Sequence, residues 1–118
     1  MRPLHVAAGF HPAETAGATP VVAELSLSNA RIPAGGGSFG FYLVDPKAAS
    51  KAIAIGKLAF EGPATAQIVR NLRVHVELDA GALAILREAA SPSIRIVPRR
   101  ADGRPLLVQS IELHDAPQ

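Results

Sequence analysis

The hydrophobic positions change period twice between Asn71 and Arg99. Leu72, Val74, Val76 and Leu78 alternate with Arg73, His75 and Glu77, the two-residue repeat of a strand with one buried and one solvated face. After Asp79, a good helix N-cap, Leu83, Leu86 and Ala90 recur at three- and four-residue spacing while Arg87 and Glu88 fall elsewhere on the wheel. That spacing predicts a short amphipathic helix over about 79–89. Ser91-Pro92 stops it. Ile94 and Ile96 then alternate with Ser93, Arg95 and Val97 as far as Pro98, whose missing N–H argues against further central pairing.

The rest of the chain is read in order against this strand, helix and strand. Residues 1–19 hold Pro3, Gly9, Pro12, Gly17 and several alanines without a sustained period, and read as a linker or N-terminal arm. From Pro20 onward, Val21, Ala23, Leu25 and Leu27 alternate with Val22, Glu24, Ser26 and Ser28 in a first strand. Pro33 and Gly35-Gly36-Gly37 form a hairpin or crossover loop; no Lys-Ser or Lys-Thr follows the glycines, so they lack the signature of a phosphate cradle. Ser38 to Asp45 puts Phe39, Phe41 and Leu43 on one face and Tyr42 and Val44 on the other, as in a central strand covered on both sides. Asp45-Pro46 ends it and Pro46 to Lys51 reads as a polar loop. The next strand, Ala52 to Glu61, shifts register at Gly56, which predicts a bulge there.

Gly62-Pro63 is a turn, and Gln67 opens the long strand through Leu78. Ala101-Asp102-Gly103-Arg104 predicts a hairpin turn with Gly103 at positive φ, and Pro105 to Leu113 is the last strand. The domain proper thus spans 20–114, and 115–118 is a tail. Strands separated by Gly/Pro turns, with one short helix and two long connections, predict an all-β fold. The expected form is a jelly-roll-like or Greek-key antiparallel β-sandwich.

Composition narrows this picture. The chain has 118 residues, enough for one core and too few for two. Hydrophobic residues are 48% and charged ones 19%, which argues against disorder; four Phe, one Tyr and no Trp leave the core aliphatic. The net charge is only +2, and Lys and Arg are scattered except at Arg99, Arg100 and Arg104. A nucleic-acid surface needs a denser basic stripe or stacking aromatics. Without cysteine there is no disulfide, thiolate metal site or Cys nucleophile, and the compartment stays open. His5 and Gly9 interrupt the apolar run from Leu4 to Phe10, so no signal-peptide core is visible, and no stretch approaches the roughly 20 apolar residues of a membrane span. The chain reads as soluble, either a complete small protein or a domain of a longer one.

One family has this order of segments. An aromatic strand ending in Asp (Phe39 to Asp45), Gly-x-Leu-x-Phe (Gly56 to Phe60) and a strand-helix of the type hydrophobic-Asp-x-x-x-x-Leu (Leu78 to Leu86) come first. Ile-x-Ile-Val-Pro-Arg (Ile94 to Arg99) and Val-x-x-Ile-Glu-Leu (Val108 to Leu113) follow. The order resembles the C-terminal domain of polyphenol oxidases and related tyrosinases. That resemblance implies a jelly-roll-like domain lying over a dicopper catalytic domain and shielding its mouth: a non-catalytic accessory domain, with copper in the partner domain and no cofactor of its own. The partner would be a tyrosinase-like catalytic domain, in cis or in trans. Two features depart from the family. Lys47 and Lys51 follow the aromatic strand where plant members carry acidic residues, and residues 62–67 contain no His, so no blocking residue follows from the motif.

The candidate chemistry is sparse. A dicopper centre needs six imidazoles from a helical bundle; four His and one short helix cannot supply it. His5 and His11 are weak candidates for a metal if the arm folds back, His75 lies on an exposed strand face, and His114 lies where the tail begins. Ser38 lacks a Gly-x-Ser-x-Gly elbow, and Glu24, Asp45, Glu61, Glu77, Asp79 and Glu112 are spread over strand edges and caps. Asp79 reads as a helix cap and Asp45 as a turn residue. Tyr42, Arg99, Arg100 and Arg104 are the candidates for partner contact. The alternative is a free-standing sandwich subunit that forms a homo-oligomer or binds carbohydrate, with the shortage of exposed aromatics favouring self-assembly.

Overall fold

A computed structural model describes residues 2–8, 10, 21–61, 68–89, 91–100 and 103–115. The elements run β1 (Arg2–Val6), β2 (Val21–Ile32), β3 (Gly37–Asp45), β4 (Ala48–Phe60), β5 (Ile68–Leu78), α1 (Ala80–Glu88), β6 (Ser93–Pro98) and β7 (Ser110–Asp115). The strands form one seven-stranded sheet in the order β4-β3-β6-β1-β7-β2-β5. It curls until its two ends, β4 and β5, lie side by side: a Cβ on Gly56 would come within 3.0 Å of Val76 Cγ1. The expected all-β, sandwich-like architecture with one short helix is what the chain adopts, closed almost into a barrel.

The alternation patterns sort the core as expected. Phe39, Phe41 and Leu43 of β3 face Leu25 and Leu27 of β2 and Val74, Val76 and Leu78 of β5 in one apolar interior. Each such side chain contributes about 1.5–3 kcal/mol by leaving water. The β3–β4 ladder slips between Phe41 and Tyr42, where Phe41 pairs with Gly56 and Tyr42 with Ala54; this is the predicted bulge. Asp79 caps α1, its Oδ1 accepting the Ala82 N–H at 2.9 Å. The helix drops Ala82, Leu83 and Leu86 into the core, packing across β3, β4 and β5 where the sheet ends meet.

Several boundaries differ from the sequence reading. Arg2–Val6 is a strand, not an arm: Arg2 and Pro3 pair antiparallel with β6, Leu4 to Val6 pair parallel with β7, and Leu4 is buried. The sheet is therefore antiparallel except at β1–β7. Five residues carrying Pro3 and His5 are too short to display a period, and their backbone hydrogen bonds with distant strands decide the matter. β2 continues to Ile32 through a bulge at Asn29, whose φ of 50° is tolerated because Asn71 Oδ1 accepts its N–H at 3.0 Å. The expected loop over Pro46 to Lys51 shrinks to a two-residue turn, Asp45 Oδ1 accepting the Lys47 N–H at 3.0 Å, and β4 begins at Ala48.

The described residues between β6 and β7 (99, 100 and 103–109) are not the arm of a hairpin, since β6 pairs with β3 and β1 whereas β7 pairs with β1 and β2. They cross from one half of the sheet to the other, with Leu107 bridging Arg31 on the way. Gly103 is needed for close approach, not for a positive φ: a Cβ there would lie 2.9 Å from Pro98 Cβ. His114 belongs to β7. The triple glycine is the crossover from β2 to β3, with Gly35, Gly36 and Gly37 at φ of 84°, 74° and 150°. Residues 11–19 of the expected arm, the Gly62-Pro63 turn, Asp102 and the tail 116–118 lie outside the described residues.

If β1 is structural, Leu4→Ala lowers the unfolding free energy by about 2–4 kcal/mol. Urea denaturation measures this, and an unchanged midpoint would return Leu4 to a detached arm.

Candidate functional site

On the outer face of β3, Gly40 and Tyr42 are successive outward positions. Because Gly40 has no side chain, the Tyr42 ring lies down over it; a Cβ at Gly40 would stand 3.1 Å from Tyr42 Cε2. Tyr42 is half-buried, as expected for the less covered face of the aromatic strand. Around it the wall is made of small or short apolar residues, Ala54 of β4 and Val97 of β6, with Lys57 and Arg99 on the rim. Together they bound an open depression of about 910 Å³, whose far rim is His75, Glu77 and Asp79 across the β4/β5 seam.

The structure thus brings Tyr42 and Arg99 to one place. Arg100 and Arg104 line a separate depression of about 310 Å³ against the Gly35–Gly37 crossover. His5 is exposed on β1 beside Glu112 of β7, and His11 lies outside the described residues.

A second constellation was not legible in the sequence. On β2, Ala23, Leu25 and Leu27 face the core, so Glu24 faces outward by parity, like Val22, which is 54% exposed. Glu24 is nevertheless only 2% exposed. Far from lying at a strand edge, it is held at mid-sheet between β5 and β7, directly opposite His75 on one side and His114 on the other. His75 Nε2 stands 3.3 Å from Oε2; His114 Nε2 and Arg73 Nε stand 3.6 Å and 3.8 Å from Oε1. Oε1 itself has no hydrogen-bond partner.

His114 Nε2 is 2.6 Å from Ser26 Oγ, while its Nδ1 lies 3.1 Å from the Asp115 carbonyl oxygen. That carbonyl can only accept, so Nδ1 carries the proton and donates. The arrangement is not a hydrolytic triad. In such a triad the acid orients Nδ1, whereas Glu24 approaches the same nitrogen as the serine. Among the described residues, no three His, Cys, Asp or Glu side chains form a group that could hold a metal ion. Glu24 was detectable only as the one charge between Val21 and Asn29; its register against two histidines was not.

Compared with family models, with characterised proteins and with solved structures, the chain matches none.

The Tyr42–Gly40 contact can be read directly, because the chain has one Tyr and no Trp. Gly40→Val lifts the ring off the sheet and makes tyrosine fluorescence more quenchable by acrylamide. The stability change stays within about 1 kcal/mol, as for other surface positions. Unaltered quenching would mean that the ring does not rest on Gly40.

Proposed function

We propose that this chain is a non-catalytic accessory domain that docks on a tyrosinase-like dicopper oxidase domain and covers its mouth, as the resemblance of its segments implies. The observation that carries the reading is the Tyr42 face: one aromatic ring pinned on a glycine in an open depression of small apolar residues, with Lys57 and Arg99 at the rim. An aromatic anchor with a basic margin is the usual composition of a contact surface. The area is sufficient. The molecule measures 45 × 33 × 23 Å, so its broad side exceeds the roughly 800 Å² that each partner contributes to a standard interface.

In this role the domain acts by steric exclusion and supplies no reacting group; the copper chemistry belongs to the partner. Tyr42 provides the central contact, and Arg99 adds a charge whose contribution falls as salt screens it. The Arg100/Arg104 depression lies apart from that contact and is not needed for it.

The test is inhibition in trans. The purified chain, titrated into a tyrosinase catalytic domain freed of its own C-terminal domain, slows phenol oxidation. Tyr42→Ala raises the half-inhibiting concentration about tenfold or more. Full activity at saturating amounts of the wild-type chain overturns the reading, and a chain that sediments as a dimer under the same conditions would put self-assembly in its place.

A further inference from the structure

The crossover from β2 to β3 and the two arginines beside it are not used by a shielding role. Pro33 to Gly36 is a turn, closed by the Gly36 N–H donating to the Pro33 carbonyl at 3.0 Å. From Gly35 to Gly37 the backbone stays at positive φ, a run that glycine alone adopts without strain. The missing side chains leave this backbone bare: a Cβ on Gly35 would meet nothing within 4 Å. The Gly35 N–H has no acceptor among the described residues. Exposed amides in such turns form the concavities that hold anions.

Positive charge is brought to the same place by the chain leaving β6. The Arg99 N–H donates to the Ser38 carbonyl at 2.9 Å, and the Gly103 N–H to the Arg100 carbonyl at 2.9 Å. Gly103 is pressed against β6 so closely that a Cβ would lie 2.9 Å from Pro98 Cβ. These contacts set Arg100 and Arg104, both exposed, in one depression of about 310 Å³ with Gly35, Gly36 and Gly37. Among the described residues that line it there is no carboxylate.

We propose that this depression binds a tetrahedral dianion, a phosphate group, either free or carried on a small ester. Guanidinium groups bond phosphate oxygens in pairs, and the bare turn supplies N–H donors for the others. The volume lies at the lower end of ligand pockets, which begin at about 300 Å³, so a phosphate with a short organic part fills it. Phe39, the aromatic residue in the lining, is only 1% exposed, which leaves no platform on which a nucleobase could stack. A Lys-Ser or Lys-Thr after the glycines belongs to a loop that opens a helix. This loop opens a strand, and its cations come from beyond β6, which spacing along the chain does not reveal.

The experiment titrates the full chain at low ionic strength with inorganic phosphate and with glycerol phosphate, by calorimetry and by amide NMR, against sodium chloride at matched ionic strength. Phosphate binds saturably and one to one, and moves the Gly35 and Gly36 amide signals where chloride does not. Arg104→Ala and Arg100→Ala, at exposed positions that leave the fold intact, each weaken binding about tenfold or more. Arg99→Ala, on the rim of the Tyr42 depression, changes it less than about twofold at the same salt. Glycerol phosphate binding at least as tightly as inorganic phosphate assigns the site to an ester; weaker binding assigns it to the free ion. Signals that drift without saturating, that move equally at Lys57, or that still move in Arg104→Ala overturn the proposal. None of these readouts involves oxidase inhibition, so the site stands or falls separately from the docking role.

Discussion

Five residues at the beginning of the chain hold the two halves of the sheet together. Arg2 and Pro3 complete the ladder of β6, Leu4 to Val6 complete that of β7, and backbone bonds at both ends, Leu4 N–H to the Pro92 carbonyl at 2.9 Å and Ala7 N–H to the Leu113 carbonyl at 2.8 Å, lock the join. Without β1 the inner edges of β6 and β7 would carry unpaired amide and carbonyl groups inside a closed structure, which folded proteins do not tolerate. The near-barrel, its aliphatic interior and both outer faces follow from this insertion, because it sets how far the sheet must curl before β4 meets β5.

Closure of that seam is managed by small residues and one helix. Gly56 lets β4 approach β5 to a distance no side chain could share, and Gly81 lets α1 sit against Ile53, where a Cβ would come within 3.0 Å of Cδ1. The same shortage of bulk outside β3 leaves Tyr42 lying on Gly40 beside an open depression. His75 stands between the two outer constellations, lining the far rim of the Tyr42 depression and approaching Glu24 with its ring nitrogen.

Much of the architecture was legible in one dimension. The alternation on either side of Asp79, the cap itself, the bulge at Gly56 and the inward set Phe39, Phe41 and Leu43 depend on neighbours within a few residues, and local period and steric preference report such features faithfully. The turn at Asp45 was legible for the same reason, although its tightness was not. What escaped were the features made by distant backbone: the strand at Arg2–Val6, the extension of β2 past Asn29, and the crossing at 99–109, where a glycine and neighbouring charges suggested a hairpin that the sheet order does not contain.

By itself, then, the order of residues determined the alternating strands around Asp79, the inward set of β3, where the described helix begins and most of the apolar side chains that leave water, since period, capping and apolar area are local quantities. Only the tertiary structure decided which strands are neighbours. Pairing β2 with β5 on one side and β7 on the other joins positions 24, 75 and 114 into one row. The energy that selects this register is summed over whole ladders and a shared core, and no short stretch of sequence contains it.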